Sequence, residues 1–223
     1  MTARHIKTQS QIGRNMKNTG LIIFGSKGSA VELEDYIADL TPDEFGFVRR
    51  VFIEDDLIAK NELERYLNDP DFSLHYIFGV MDYDWRKNAL DQIAKFPSFK
   101  PYSFIHPSAF VAKTASIGKG VFIHANVTVS TECVINDHVL LHMNSSVGHH
   151  SIISEHATLL PGVRVSGNVN VGKRCIIGSN SVVFQGVNIG DDNRVDCLSY
   201  IKSDLKPHMI TFAAMPTSKP RKK

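Results

Sequence analysis

The sequence predicts an α/β N-terminal unit of half-Rossmann type followed by a left-handed parallel β-helix of hexapeptide repeats. Three observations predict it. Every sixth residue is aliphatic from Val111, Ile117, Ile123 and Val129 through to Val195 and Ile201, without a break. A buried-strand run, Leu21-Ile22-Ile23-Phe24, passes directly into the glycine turn Gly25-Ser26-Lys27-Gly28. A stretch with Pro97, Pro101 and Pro107, spanning 96–108, separates these two regions and reads as a linker.

A period of six fits neither the 3.6 of an α-helix nor a series of independent hairpins, so an internal repeat explains it. Each hexapeptide supplies one short strand and one corner, and three of them close a triangular turn of eighteen residues. The aliphatic residue points into a narrow prism. The residue four places later is small or β-branched, as at Ala115, Val127, Cys133, Ser151, Ala157 and Cys175. Turns stack at the parallel-strand spacing of roughly 4.8 Å, so residues eighteen apart lie one above another. Asn126, Asn144 and Asn180 obey that spacing, as do His124 with His142 and His138 with His156.

The first hundred residues carry the other pattern. After the strand and glycine turn, residues 31–40 show helical spacing in Val31, Leu33, Tyr36, Ile37 and Leu40. A strand, a glycine turn and a helix open a nucleotide-binding βαβ unit, in which glycines let a phosphate approach the helix amino terminus. The same residues also suit an ordinary tight turn. A second strand over 47–53 ends in Glu54-Asp55-Asp56, where acidic side chains either meet a ribose or base edge or begin the next helix. A helix over 58–67, a third strand over 75–81 and a helix over 84–95 complete a β-α-β-α-β-α order. That length suits a mononucleotide rather than a dinucleotide. The expected division is 1–19 as a flexible extension, 20–100 as the nucleotide-binding unit, 101–205 as the coil, and 206–223 as a C-terminal segment with a basic tail.

Composition narrows the function. The 223 residues carry a net charge of +2, with no basic face or aromatic–basic alternation that would indicate nucleic acid. No apolar run reaches membrane-spanning length, and residues 1–19 lack a signal-peptide core. Three cysteines, two of them at small inward positions of the coil, read as reduced thiols and suit a cytoplasmic protein.

The order of parts resembles one family. The segments that carry the resemblance are Gly25-Ser26-Lys27-Gly28, the region of Gly79 and Arg86-Lys87, the junction Ile105-His106-Pro107-Ser108-Ala109, residues 144–153, and the closing Ala214-Met215-Pro216-Thr217-Ser218-Lys219. Together they are similar to the N-acyltransferases that act on nucleotide-linked 4-amino-4,6-dideoxysugars, near relatives of the sialic-acid O-acetyltransferases. The resemblance implies homotrimeric coils, with acetyl-CoA or another short acyl-CoA as co-substrate in the cleft between subunits and no metal. It places the family's general base on His149. An amine that attacks a thioester must lose a proton, and an imidazole suits that task. The resemblance also puts the donor to the thioester oxygen at the Gly167 backbone N–H, eighteen residues on, an oxyanion-hole role.

Further residues follow from the same resemblance. Gly25, Ser26, Gly28, Ser29, Glu54 and Asp55 would hold the nucleotide, His142 and His150 the sugar, and Thr158, Gly167, Asn168 and Lys173 the coenzyme. Gly148 and His150 stand where many members carry acidic residues beside the base. The carboxylate that usually orients the imidazole is therefore missing from its place, and a substitute would come from elsewhere, a neighbouring subunit among the sources. Two other classes compete. A carbonic-anhydrase-type coil would need three imidazoles converging across a subunit boundary, and a non-catalytic scaffold would use the coil only to trimerise the nucleotide-binding unit.

Overall fold

The computed structural model describes residues 19–25, 27–51, 69, 71–96 and 98–213. By contacts the chain divides into two units, one comprising 1–106 with 117–122 and the other 107–116 with 123–223.

The first unit contains a four-stranded parallel sheet. In chain order its elements are β1 (Thr19–Phe24), α1 (Ser29–Leu40), β2 (Phe47–Val51), β3 (Ser73–Phe78), α2 (Tyr83–Ile93) and β4 (Phe99–Pro101). The sheet order is β2-β1-β3-β4, so the chain reverses direction across the sheet between β1 and β3. Leu21, Ile22 and Ile23 are wholly buried, as expected of a central strand covered on both faces. Phe24, Phe78, Tyr76 and Ile93 form the core on one side, with Phe24 and Phe78 stacked at 5.4 Å. The Asp82 carboxylate accepts from the Trp85 N–H and caps α2.

One expectation changes here. Within the stretch expected to be a linker, Phe99–Pro101 is a strand, paired in parallel with Leu74, His75 and Tyr76. The physical reason is burial: Phe99 packs beside Tyr76 in the core, and Pro101, which cannot donate to a ladder, ends an edge strand. The second expected strand is seen as far as Val51, and residues 52–53 and the expected helix over 58–67 lie outside the described residues.

The second unit is a parallel β-solenoid, the expected hexapeptide-repeat class. Every frame position from Val111 to Ile201 is the second residue of a two-residue strand. One sheet runs through 110–111, 128–129, 146–147, 164–165, 182–183 and 200–201. A second runs through 134–135, 152–153, 170–171 and 188–189, and a third through 140–141, 158–159, 176–177, 194–195 and 210–211. Register is strictly eighteen along the rows, as in Val147↔Val165↔Val183. The frame residues from Ile123 to Ile177 are almost wholly buried. The coil also continues past 205, because Ile210–Thr211 pairs in parallel with Arg194–Val195.

From Gly120 to Leu198 the corners follow one rule. Their second residue sits in the left-handed region, as at Glu132 (φ 57°), His150 (φ 58°), Asn168 (φ 57°) and Asn180 (φ 57°). Asn, Asp and His are enriched there, and at Gly120, Gly162 and Gly186 glycine takes the place. Small polar residues at the inward position tie the corners down. Ser151 Oγ donates to Ser166 O at 2.9 Å and accepts the Val169 N–H at 3.1 Å, and Ser181 does the same for Asp196 O and the Ser199 N–H. Cys133 Sγ reaches Gly148 O at 3.1 Å, and Cys175 Sγ reaches Gly190 O at 3.1 Å.

Candidate active site

The edge of the coil at 148–150 and 166–168 gathers the chemistry. His149 is the first residue of its corner and His150 the second; both side chains reach solvent. A β-carbon added at Gly167 would stand 2.5 Å from His149 Cε1, 2.6 Å from Nε2 and 3.0 Å from Nδ1. The imidazole therefore lies directly over the Gly167 backbone, and the absence of a side chain at 167 is what admits it. Gly148 serves a different need. Its missing β-carbon would meet the backbone of the next turn, 2.5 Å from Ser166 C and 2.6 Å from Gly167 N.

Backbone hydrogen bonds hold the two corners in register. The Asn168 N–H donates to His149 O at 2.8 Å, the Gly186 N–H to Gly167 O at 3.1 Å, and the Gly148 N–H to Val165 O at 2.8 Å. The Gly167 N–H has no acceptor among the described residues. Below the surface, Ser151 fixes the carbonyl before Gly167, and Cys133 fixes the carbonyl before His149. Burial raises the pKa of the Cys133 thiol, which suits a packing role rather than a nucleophilic one.

A carboxylate of the same chain reaches the histidine pair. His149 Nδ1 lies 3.0 Å from His150 Nδ1, with the two rings nearly perpendicular at 87°. His150 Nε2 lies 2.7 Å from Glu132 Oε2. Glu132 was missed by the sequence reading, although it stands eighteen residues before His150, and that spacing was the signal available.

The other expected residues are distributed differently. Asn168 is exposed and directly follows Gly167 at the same edge. Lys173 lies at the next corner, where its Nζ approaches Glu155 Oε2 at 3.5 Å and its N–H donates to Asp191 Oδ1 at 2.8 Å. His142 is buried and stacked on His124 at 4.8 Å, and Thr158 is wholly buried in its strand. None of these three joins His149 and Gly167 within one chain. Among the described residues, no group of three His, Cys, Asp or Glu is placed to hold a metal ion, and no helix is long and apolar enough to cross a membrane.

In the first unit, the carboxyl ends of β1 and β3 meet the start of α1. Gly25 (φ 139°) and Gly79 both close on Ala30, whose β-carbon would lie 2.8 Å and 2.7 Å from theirs. The Gly79 N–H donates to Phe24 O at 2.9 Å. Gly28 (φ 53°, ψ −125°) is the helix N-cap, exposed, with nothing within 4 Å of where a β-carbon would project. The wholly buried Arg86 donates its Nε–H to Val80 O at 2.6 Å and anchors the loop that follows β3. In an open α/β sheet, a reversal of strand order leaves a crevice at the carboxyl ends that suits a ligand. Ser29 is half-buried in the first turn of α1. Ser26, Glu54 and Asp55 lie outside the described residues.

No protein-family model matches the sequence, and no curated protein matches it. Solved structures do. The perosamine N-acetyltransferase from Caulobacter crescentus, in complex with CoA and GDP-perosamine, aligns at a TM-score of 0.73 and 22% identity over 86% of this chain and 92% of that one. The acetyltransferase domain of PglB from Neisseria gonorrhoeae aligns at 0.71 and 23% identity, over 86% and 95%. WeeI from Acinetobacter baumannii aligns at 0.72 and 15% identity, over 86% and 95%. The chain has their fold. The likeness extends over most of both chains, so it covers the α/β unit as well as the solenoid.

Proposed function

We propose that this protein is an acyl-CoA-dependent N-acyltransferase that moves an acetyl group from acetyl-CoA to the amino group of a nucleotide-linked amino sugar. One observation carries the reading: His149 lies over Gly167, beside a backbone N–H without an acceptor, on a coil of the acetyltransferase fold. In this reading the sugar amine attacks the thioester carbonyl carbon while His149 Nε2 takes the proton that the nitrogen sheds. The carbonyl oxygen becomes an oxyanion and accepts a hydrogen bond from the Gly167 N–H. Collapse breaks the carbon–sulfur bond, and the departing thiolate receives the proton from His149.

Division of labour follows the two units. The start of α1, which has no side-chain cap, would with Gly25 and Gly28 receive the acceptor's phosphates, because the helix dipole favours an anion there. The coil would take acetyl-CoA. In this reading the protein is a homotrimer with three equivalent clefts, acts in the cytoplasm, and serves polysaccharide biosynthesis. Lys173, which lies at another edge from His149 within one chain, could then contribute to a neighbour's coenzyme site.

The test is purified protein with acetyl-CoA against UDP-, dTDP- and GDP-linked amino sugars, with release of free thiol as the readout. The GDP-linked sugars come first, given the ligand of the Caulobacter enzyme. His149→Asn should lower turnover by about 10²–10⁴-fold, the range for a lost general base. No transfer to any amino sugar, or full turnover by His149→Asn, overturns the reading.

A further inference from the structure

We infer that Glu132 and His150 form a relay that fixes the tautomer and orientation of His149, with both acting as positioning residues. The inference rests on the proposed role of His149 as base, but its geometry stands independently. The coil brings Glu132 and His150 together, and the chain places His149 beside them. Glu132 and His150 are the left-handed second residues of two successive corners on one edge, so their side chains leave the coil side by side. His149 is the neighbour of His150 in sequence and turns its Nδ1 back toward it.

With both imidazoles neutral and Glu132 ionised, proton counting fixes the tautomers. Glu132, ionised, only accepts, so at 2.7 Å the His150 Nε2 must carry a proton and donate it. A neutral His150 then presents a bare Nδ1, which accepts. At 3.0 Å the His149 Nδ1 must therefore carry its proton and donate. The remaining nitrogen of His149, Nε2, is left with its lone pair, beside Gly167. That is the nitrogen that must be unprotonated for His149 to take a proton from an attacking amine. A free neutral imidazole prefers the opposite tautomer, with the proton on Nε2, so the relay selects the competent form. When His149 becomes cationic, its Nδ1–H continues to donate to His150 and Glu132 remains ionised. No proton has to travel along the chain.

The relay also accounts for a substitution in the sequence. An acidic neighbour of the base can act on its Nδ1 directly. Here His150 occupies that neighbouring position, and the negative charge lies one turn away, with an imidazole spanning the gap.

The experiment is nitrogen NMR of the full-length protein labelled at its histidines, at about pH 8.5, where an ordinary imidazole is neutral. The His149 signals among the ten histidines are assigned by their loss in His149→Asn. Wild-type protein should show His149 as the Nδ1–H tautomer. Glu132→Gln keeps the side-chain size and removes the charge, and it should move His149 toward the Nε2–H tautomer. His150→Asn cuts the relay in the middle with a residue that tolerates the corner's left-handed backbone, and it should do the same. Turnover in both should fall by about ten- to a hundredfold, the scale that orienting partners of functional histidines carry, with the KM for acetyl-CoA unchanged. An Nε2–H tautomer in the wild type, or a tautomer unmoved by Glu132→Gln and His150→Asn, overturns the relay. The tautomer is read without substrate. A correct tautomer shift in a protein that acetylates no amino sugar therefore supports the relay and counts only against the proposed reaction.

Discussion

Two glycine-to-alanine substitutions one turn apart should separate function from fold. At Gly167, a new β-carbon would stand 2.5 Å from His149 Cε1 and 2.6 Å from Nε2. Ordinary contact between such atoms is about 3.5–4.0 Å, so the ring must retreat by about 1 Å. The obstacle is the end of a solvent-exposed side chain, and Gly167 has an ordinary backbone conformation, so Gly167→Ala should alter stability by no more than about 1 kcal/mol. The same retreat opens the 3.0 Å contact between His149 and His150 and lifts Nε2 from its place beside the Gly167 N–H. A misplacement of about 1 Å in a reacting group can cost about 10²-fold in rate, and turnover should fall by that much. At Gly148 the clash is with backbone, 2.5 Å from Ser166 C. Gly148→Ala should therefore cost about 1–3 kcal/mol as overpacking, at about 2–4 °C of Tm per kcal/mol for a protein of this size. Thermal melts and acetyl-transfer rates on both variants decide the matter. Wild-type turnover in a correctly folded Gly167→Ala would show that the seat of His149 does not govern the reaction.

Three other outcomes follow from particular groups. Gly28→Ala forces a side chain into a left-handed conformation at a cost of about 1–2 kcal/mol, and it should raise the acceptor's KM while leaving that for acetyl-CoA alone; calorimetric titrations of the two ligands check it. Iodoacetamide should label Cys197, which is exposed, and spare Cys133 and Cys175, whose thiols burial raises, that of Cys175 to about 11; mass spectrometry of the alkylated native protein reads this directly. Acid should loosen the two units in different pH windows. Burial, and then the Lys100 charge, lowers the pKa of His75, so the unfolded α/β unit takes up the proton first and stability there falls as pH drops below about 6.5. Hydrogen bonds from Arg174 hold the Asp192 carboxyl low. Its contribution is present above about pH 3.9 and is lost only as pH falls through its lower folded value. The single tryptophan, Trp85, lies in the α/β unit. Its fluorescence should change at a higher pH than the circular dichroism of the coil, and coincident transitions would refute the assignment.

The period of six made the coil legible almost residue by residue, because an inward aliphatic and an inward small residue leave no alternative face to bury. The juxtaposition of His149 and Gly167 was legible for the same reason: eighteen residues make one turn. Glu132 follows from identical arithmetic applied to His150, but a carboxylate one turn away leaves no mark in the residues adjacent to His149. The fourth strand of the α/β sheet was hidden for another reason. Three residues ending in proline carry no alternation, and only the burial of Phe99 against Tyr76 reveals them as an edge strand. The eighteen-residue spacing marked the stack of His124 on His142 at 4.8 Å, but the burial of His142 and Thr158 was invisible, since polar side chains next to frame residues are ordinarily solvated.

A solenoid of this kind changes what a neighbouring residue means for catalysis. In most folds a catalytic group is supported by residues that loops bring together from arbitrary positions. Here each corner side chain has two near neighbours by construction, one eighteen residues before and one eighteen after, because the Asn168 N–H to His149 O bond and its equivalents lock every corner to the next. A charge can then move from a position beside the base to one a full turn away, provided that a residue between them can both accept and donate. Histidine does both, and it tolerates the left-handed backbone that the corner imposes. The column Glu132–His150 beside the column His149–Gly167 is such an exchange. In the proposed relay, carboxylate support for His149 comes from one turn along the coil, and the stacking that builds the fold supplies the path.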